Sequence, residues 1–479
     1  MANVKLGNNT LTGVTTVRPQ NADAAGEYVS FGLGAAPAGT YVVSFNVLGS
    51  VVGQIAIPQG QSLTGAPYVP TADGYTFNGW QVGGAAVVYP YTPTGNETWT
   101  ANMSAVWRYG VSGLGNSNPA LTRTYNNVGK TYSINSAAGT ITTDFDNLFN
   151  FETVVQDGNT MIKIPVMYKH FDTITSNQVT AFSISNTKID DEWQPYPCFV
   201  KQDGSGDVMP YILISKGKAT GTSSKATCVS GSAPLVDVTR AQMRTAARAN
   251  GTGWQQFDWM VLQLLRDLFC VVFATTNSQL IFLGRTTGFS NAASVGGTWN
   301  ISTPCGWNTS TMQNRFFGIE DIFGNVSDWC DGVTFSGSTI YSTVDYNHFT
   351  DSTSNMVNSG LRTTSSGYIS ALTYNIAQPF LNYPSAASGG ETQYYCDREY
   401  YSSSGVVLRV GGGWGSGVGA GLWYSNGNND ASNSNSNIGG RLVFGIYFGR
   451  HILYLLVKNG CKERFSRAMA SNHRQAKNK

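Results

Sequence analysis

A chain of 479 residues is long enough for several domains of about 150 residues each and for at least one sizeable core. Charged residues make up 12%, roughly half the usual ~25%, and 30 Lys+Arg against 28 Asp+Glu leave a formal charge of +2, which excludes broad electrostatic capture of nucleic acid. With 55 Gly and 12% aromatic residues the chain reads as folded, loop-rich and β-leaning, and no uninterrupted apolar stretch approaches the ~20 residues that span a bilayer.

Residues 1–37 are polar and small, with a strand expected at 27–31, and read as an attachment or oligomerising segment. The start, Met-Ala-Asn-Val-Lys-Leu-Gly-Asn, lacks a basic region followed by an apolar one, so no export leader is expected. Residues 38–107 alternate as strands at 41–47, 53–57, 74–80 and 99–107 and make one small β domain. Its run Gly74-Tyr-Thr-Phe-Asn-Gly-Trp80, with Ala105-Val-Trp107 at the end, resembles the β-grasp surface repeat of internalin-like proteins over residues 40–107. That resemblance implies a spacer or adhesive module. The aromatics of the motif are expected in the core, because a small sheet needs large buried area per residue.

Residues 108–120 are rich in Gly, Ser and Asn and read as a linker. The large domain is expected at 121–449. Two helices stand out in it: 238–248, capped by Asp237 or Thr239 and stopped at Asn250-Gly251, and 257–273, whose Trp259, Leu262, Leu265 and Phe269 form a core stripe. Elsewhere the pattern is short strands and polar loops.

Few residues offer catalytic chemistry. The histidines His170, His348, His451 and His473 lie far apart with no metal-ligand spacing, and no G-x-S-x-G elbow follows an apolar strand. Gly411-Gly-Gly-Trp-Gly-Ser-Gly417 lacks the Lys-Ser/Thr of a phosphate-binding loop. Seven cysteines include no C-x-x-C, and buried free thiols are the expectation.

The segment 407–442, from Val407-Leu-Arg-Val-Gly-Gly-Gly-Trp-Gly-Ser-Gly to Gly-Gly-Arg-Leu442, resembles the variable region of diversity-generating retroelement target proteins. Those proteins carry it on a C-type-lectin-like domain of the formylglycine-generating-enzyme type. Gly318-Ile-Glu-Asp-Ile-Phe-Gly-Asn-Val-Ser-Asp-Trp329, Phe257-Asp-Trp-Met with Asn277-Ser-Gln279, and Lys163-Ile-Pro165 with 193–199 extend the resemblance over most of 121–449. The implied class is α+β, a C-terminal lectin-like domain preceded by a small β-grasp domain.

In that family adenines are altered, so an Asn codon can become Gly, Ser, Tyr, Val or Leu but never Trp. The resemblance therefore marks Gly413, Gly415, Ser416, Val418, Gly419, Leu422, Tyr424, Ser425 and Gly427 as candidate variable, ligand-binding positions, with Trp414 and Trp423 as scaffold. Glycine lets a partner approach the backbone, Tyr424 offers rigid area with a polar tip, and Ser and Asn offer adaptable hydrogen bonds. The alternative is a Gly-rich turn region. Asn/Ser-rich 428–437 is expected to stitch its own backbone through side-chain hydrogen bonds.

The related oxidases need a cysteine directly after the Arg of a G-F-R-C motif, whereas Gly440-Arg441 is followed here by Leu442, so no enzyme activity is expected. Relatives also bind calcium near the matching turn, where Asn325 and Asp328 stand; a structural Ca²⁺ and a turn with a capping Asp are the two readings. From Arg450 the tail holds eight Lys/Arg against Glu463 and reads either as contact with an acidic partner or as a last strand with a solvated end. The resemblance implies a receptor-binding protein of a phage tail, in the virion, meeting a host surface protein or glycan and other tail proteins as a homotrimer. It implies neither nucleic-acid binding nor membrane insertion. A bacterial surface-displayed ligand-binding protein is the alternative.

Overall fold

The computed structural model describes residues 2–6, 9–14 and 38–445, except Thr71, Asp73, Gly74, Asn150 and Asp203; for 2–6, 9–14 and Ala105 the description is of backbone alone. The strand expected at 27–31 and the basic tail 450–479 lie outside the described residues. Strands Ala2–Leu6 and Asn9–Val14 pair antiparallel. The chain divides into two compact units, residues 1–107 and 108–479.

The first unit holds a five-stranded sheet in the order Ser50–Pro58, Thr40–Val47, Glu97–Ala105, Tyr75–Val82, Ala85–Ala86, with Thr40–Val47 parallel to Glu97–Ala105 and the other neighbours antiparallel. Period-two alternation puts Val43, Phe45 and Val47 on one face, where they bury against Ile55, Ile57, Trp80 and Trp99. The rings pack tilted or edge-on, Phe45 to Trp80 at 4.9 Å and Tyr91 to Trp99 at 5.3 Å. Both buried indoles are satisfied, Trp80 Nε1 donating to the Tyr68 carbonyl at 2.8 Å and Trp99 Nε1 to Glu97 at 2.9 Å. Of the motif aromatics Trp80 is core and Phe77 half-buried, but Tyr75 is 41% exposed, because it stands at the strand start beyond the cluster.

In the second unit the expectation of a linker at 108–120 is corrected. Arg108–Ser112 is an inner strand of a five-stranded sheet, paired on one side with Gln178–Ser185 and on the other with Thr122–Tyr125. Tyr109, Gly110 and Val111 are buried there. A second five-stranded sheet runs Glu152–Gln156, Asn159–Pro165, Tyr211–Ser215, Leu442–Gly445, Trp254–Gln256. The largest is eight-stranded, with Ser327–Ser336, Val407–Val410, Ser425–Asn429 and Arg398–Tyr401 adjacent along its middle. The described residues are thus mostly β, which corrects the α+β class: the helices are confined to α1 (Arg240–Arg248), α2 (Trp259–Phe273), α3 (Ser278–Ile281) and short 3₁₀ turns.

Helix α1 starts at a capping box, the Thr239 side chain accepting from the Gln242 N–H while the Gln242 side chain accepts from the Thr239 N–H. Its Arg244 forks onto Asp331 at 2.6 and 2.9 Å, docking α1 on the Ser327–Ser336 strand. Helix α2 is buried on every face, not along one stripe. Its charged pair is satisfied inside: Asp267 accepts from Lys169 at 2.6 Å and Tyr196 at 2.8 Å, and Arg266 reaches the segment described next.

Candidate functional site

Residues 411–424 leave the Val407–Val410 strand and return to the Ser425–Asn429 strand, so both ends of this loop are fixed in the large sheet. The loop backbone is gripped by groups outside it. The N–H of Trp414 donates to the Asn325 carbonyl at 2.8 Å and that of Gly417 to the Thr286 carbonyl at 2.9 Å. Gln279 Nε2 donates to the carbonyls of Val418 and Ala420 at 2.6 and 2.7 Å. The N–H of Leu422 meets Ser278 Oγ at 2.9 Å, and that of Trp423 meets Asp397 Oδ2 at 2.8 Å. Arg266 donates to the carbonyls of Leu422 and Trp423 at 3.0 and 3.3 Å, its guanidinium 4.8 Å from the centre of the Trp423 ring. Burial pulls the Arg266 pKa down to about 10, and the nearby Asp397 and Asp267 charges oppose the shift.

The candidate positions separate on this frame. Gly415 and Val418 are exposed, Val418 at 57%, and Ser416 is half-buried, its Oγ accepting from the Gly413 N–H at 2.9 Å. Gly413, Gly419, Leu422, Tyr424, Ser425 and Gly427 are buried, so the expectation that they face a ligand is corrected. Leu422 and Tyr424 are core side chains, the Tyr424 ring lying 5.6 Å from that of Tyr400, where burial raises its hydroxyl pKa. Ser425 Oγ turns back to the Trp423 carbonyl at 3.1 Å.

The glycines show the same division. A Cβ on Gly415 would meet nothing within 4 Å. On Gly413 it would come within 3.1 Å of the Asn437 carbonyl, on Gly419 within 2.6 Å of the Arg398 side chain, and on Gly427 against Arg362 and within 2.8 Å of Phe335. Trp423 is buried and Trp414 half-buried. The following segment does stitch itself: Asn428 N–H to Asn426 Oδ1 at 3.2 Å, Ser432 N–H to Asp430 Oδ1 at 2.8 Å, Ser436 N–H to Asn435 Oδ1 at 2.8 Å.

Asn325 and Asp328 do not suit calcium. Asn325 Oδ1 accepts from the Ala293 N–H at 2.8 Å, holding a turn in which Asn325 has φ 62°. Asp328 Oδ2 accepts from Lys218 Nζ at 2.7 Å and Arg441 Nε at 3.1 Å, all three side chains buried. The other carboxylate oxygen, Oδ1, is buried with no hydrogen-bond partner, yet a divalent ion on it would stand beside two cationic side chains, so the residues present do not fit that ion. Burial pulls Lys218 down to about 8 against the opposing pull of Asp328. Among the described residues no group of three or more His, Cys, Asp or Glu could hold a metal ion, and no helix is long and apolar enough to cross a membrane.

The loop's grip was largely hidden in the sequence. Arg266 and Asp267 interrupt an apolar helix there, which is the signal that such a pair has a buried task, but nothing in the spacing says that Arg266 reaches residues 422 and 423.

No family model and no curated protein sequence matches the chain. Among solved structures, PvdO from Pseudomonas aeruginosa is similar at 12% identity, covering 62% of this chain and 98% of that one with a TM-score of 0.27. Treponema denticola variable protein 1 is similar at 11% identity, covering 62% of this chain and 99% of its own, TM-score 0.27. The Major Tropism Determinant U1 variant is similar at 13% identity, covering 78% of this chain and 83% of its own, TM-score 0.24. Likenesses this distant assign neither fold nor function to the chain.

Proposed function

We propose that this is a hypervariable, receptor-binding protein of a phage tail, which meets a host surface protein or glycan through the apex around Trp414 to Val418. One observation carries the reading: the loop backbone is clamped by side chains and carbonyls outside it, while Gly415 and Val418 face open space. A frame held from outside tolerates exchange of its outward side chains, which is what the resemblance of 407–442 to retroelement targets asks of it. The recognition patch is then narrower than the sequence alone implied. It is far below the ~800 Å² per partner of a standard interface, so several copies per particle, in a homotrimer attached to other tail proteins, would supply avidity.

The cysteines speak against thiol chemistry and for the recognition reading. The described cysteines are buried free thiols, and burial pushes the Cys228 thiol up to about 11 and Cys396 up to about 12, the opposite of an activated nucleophile. Exchanging Gly415, Ser416 and Val418 together and measuring adsorption to a panel of hosts tests the reading: a changed host range is expected, and an unchanged one overturns it. A second reading, a ligand-binding protein displayed on a bacterial surface, is favoured by the surface-repeat resemblance of 40–107. Neighbouring tail genes, or a neighbouring sorting system, separate the two. A near-identical DNA copy of codons 407–442 differing at adenines, beside a reverse transcriptase gene, would support both.

A further inference from the structure

Away from the apex, the second unit carries a groove of ≈ 730 Å³ between the chain that follows the Val357–Leu361 strand and the hairpin of strands Ala371–Thr373 and Tyr383–Ala386. That volume is in the range of small-molecule sites, about 300–1,000 Å³. The lining is almost wholly uncharged, with hydroxyl and amide residues alternating with apolar surface from Leu361, Tyr374, Ala386 and Ala387. Thr364, Thr373, Ser385 and Asn375 line it, and the Thr373 hydroxyl and Asn375 amide stand beside Gly360 on the facing segment. These hydroxyls, the Asn375 amide nitrogen and the Tyr374 hydroxyl donate to no other described residue. Tyr374 also brings a half-buried ring, braced edge-on by Phe171 at 5.8 Å, with its N–H fixed to the Asn177 carbonyl at 2.7 Å.

The one charged lining residue is not available to a ligand. Arg362 is buried, and its guanidinium donates to the carbonyls of Gly337, Gly427, Ser402 and Gly405 at 2.7 to 3.2 Å. An anionic ligand would therefore lose its hydration without gaining a counter-charge. A greasy ligand would strand the hydroxyls and the amide. A ligand that is itself neutral, bears many hydroxyls and has a C–H face to lay on an aromatic ring satisfies every group at once.

We propose that this groove binds a neutral oligosaccharide. The site is separate from the apex and does not rest on the apex being variable. Its test is titration of the full-length protein with maltotriose, cellotriose and chitotriose, with an acidic trigalacturonate beside them, followed by ligand-observed NMR and calorimetry. At least one neutral trisaccharide is expected to bind with a Kd in the roughly millimolar range or tighter, and trigalacturonate at least tenfold more weakly. Ser385→Trp and, separately, Thr364→Trp, both at exposed positions, fill the groove and should weaken that binding tenfold or more, while the equally exposed Val155→Trp elsewhere should not. Absence of binding by all three neutral sugars, equal binding of the acidic one, or binding that survives both groove-filling variants overturns the proposal. Host adsorption plays no part in these readouts, so this proposal and the receptor reading fail or stand separately.

Discussion

At Gly415 and Gly427 the same residue type has opposite tolerance, and the surroundings say why. Gly415 has open space where a Cβ would go and no left-handed φ, so Gly415→Ala should change stability by no more than about 0.5 kcal/mol. Gly427→Ala drives a methyl against Arg362, Phe335 and the Tyr383 hydroxyl, and should cost about 1–3 kcal/mol or more in urea unfolding. Codon reasoning placed both among the exchangeable positions, because reachability by mutation is written in the sequence and the room beside a Cβ is not. The same limit applied to Asn325 and Asp328. Their place in the chain matched a calcium turn, whereas the cations that meet Asp328 arrive from positions 218 and 441.

Asp258 gives a pH dependence at this scale. It caps α2 by accepting from the N–H groups of Met260 and Val261, which favour its charge, but burial outweighs them and pushes its carboxyl up to about 7. A carboxyl whose folded pKa lies above its ordinary value of 3.8 binds more protons folded than unfolded between about pH 4 and 7, so its contribution to stability falls as pH rises through that window. Asn keeps the capping oxygen and cannot ionise. The stability of Asp258→Asn relative to wild type should therefore improve between pH 4.5 and pH 7, by on the order of a few kcal/mol in urea unfolding.

Among elements, α1 and α2 were legible because their signals are local: a cap three residues from a glutamine, a long apolar run, a stop at Asn250-Gly251. The Arg108–Ser112 strand was not. Its Gly110 reads as loop composition, yet glycine is needed there because a Cβ would run into the Thr124 side chain and lie 2.9 Å from the Tyr125 ring. Tertiary crowding had imitated a linker. The grip of α2 on the apex loop belongs to the same scale. Arg266→Met should cost about 1–3 kcal/mol by removing the buried guanidinium that donates to the Leu422 carbonyl and shares the Trp423 carbonyl with Ser425 Oγ, and should raise amide exchange around 421–424 more than elsewhere.

For the molecule as a whole, the division at residues 107 and 108 has a direct experimental counterpart. A chain beginning at residue 108 should unfold cooperatively, whereas one beginning at residue 121 lacks an inner strand and should express as aggregate or melt without a sharp transition. Circular dichroism on the two fragments checks this. The mostly β outcome was itself foreshadowed by composition, while the sheet order, which joins residues 152 and 445 in one sheet, required non-local pairings that no window of sequence contains.

Arg266, Ser278, Gln279, Thr286, Asn325 and Asp397, which hold the apex loop, all precede residue 407. A mutagenic tract limited to codons 407–442 would rewrite what the loop displays and leave its holders as inherited. Shape and specificity would then descend through different stretches of one gene for alleles that change the exposed positions 415 and 418, while those that enlarge Gly419 or Gly427 would have to repack buried neighbours.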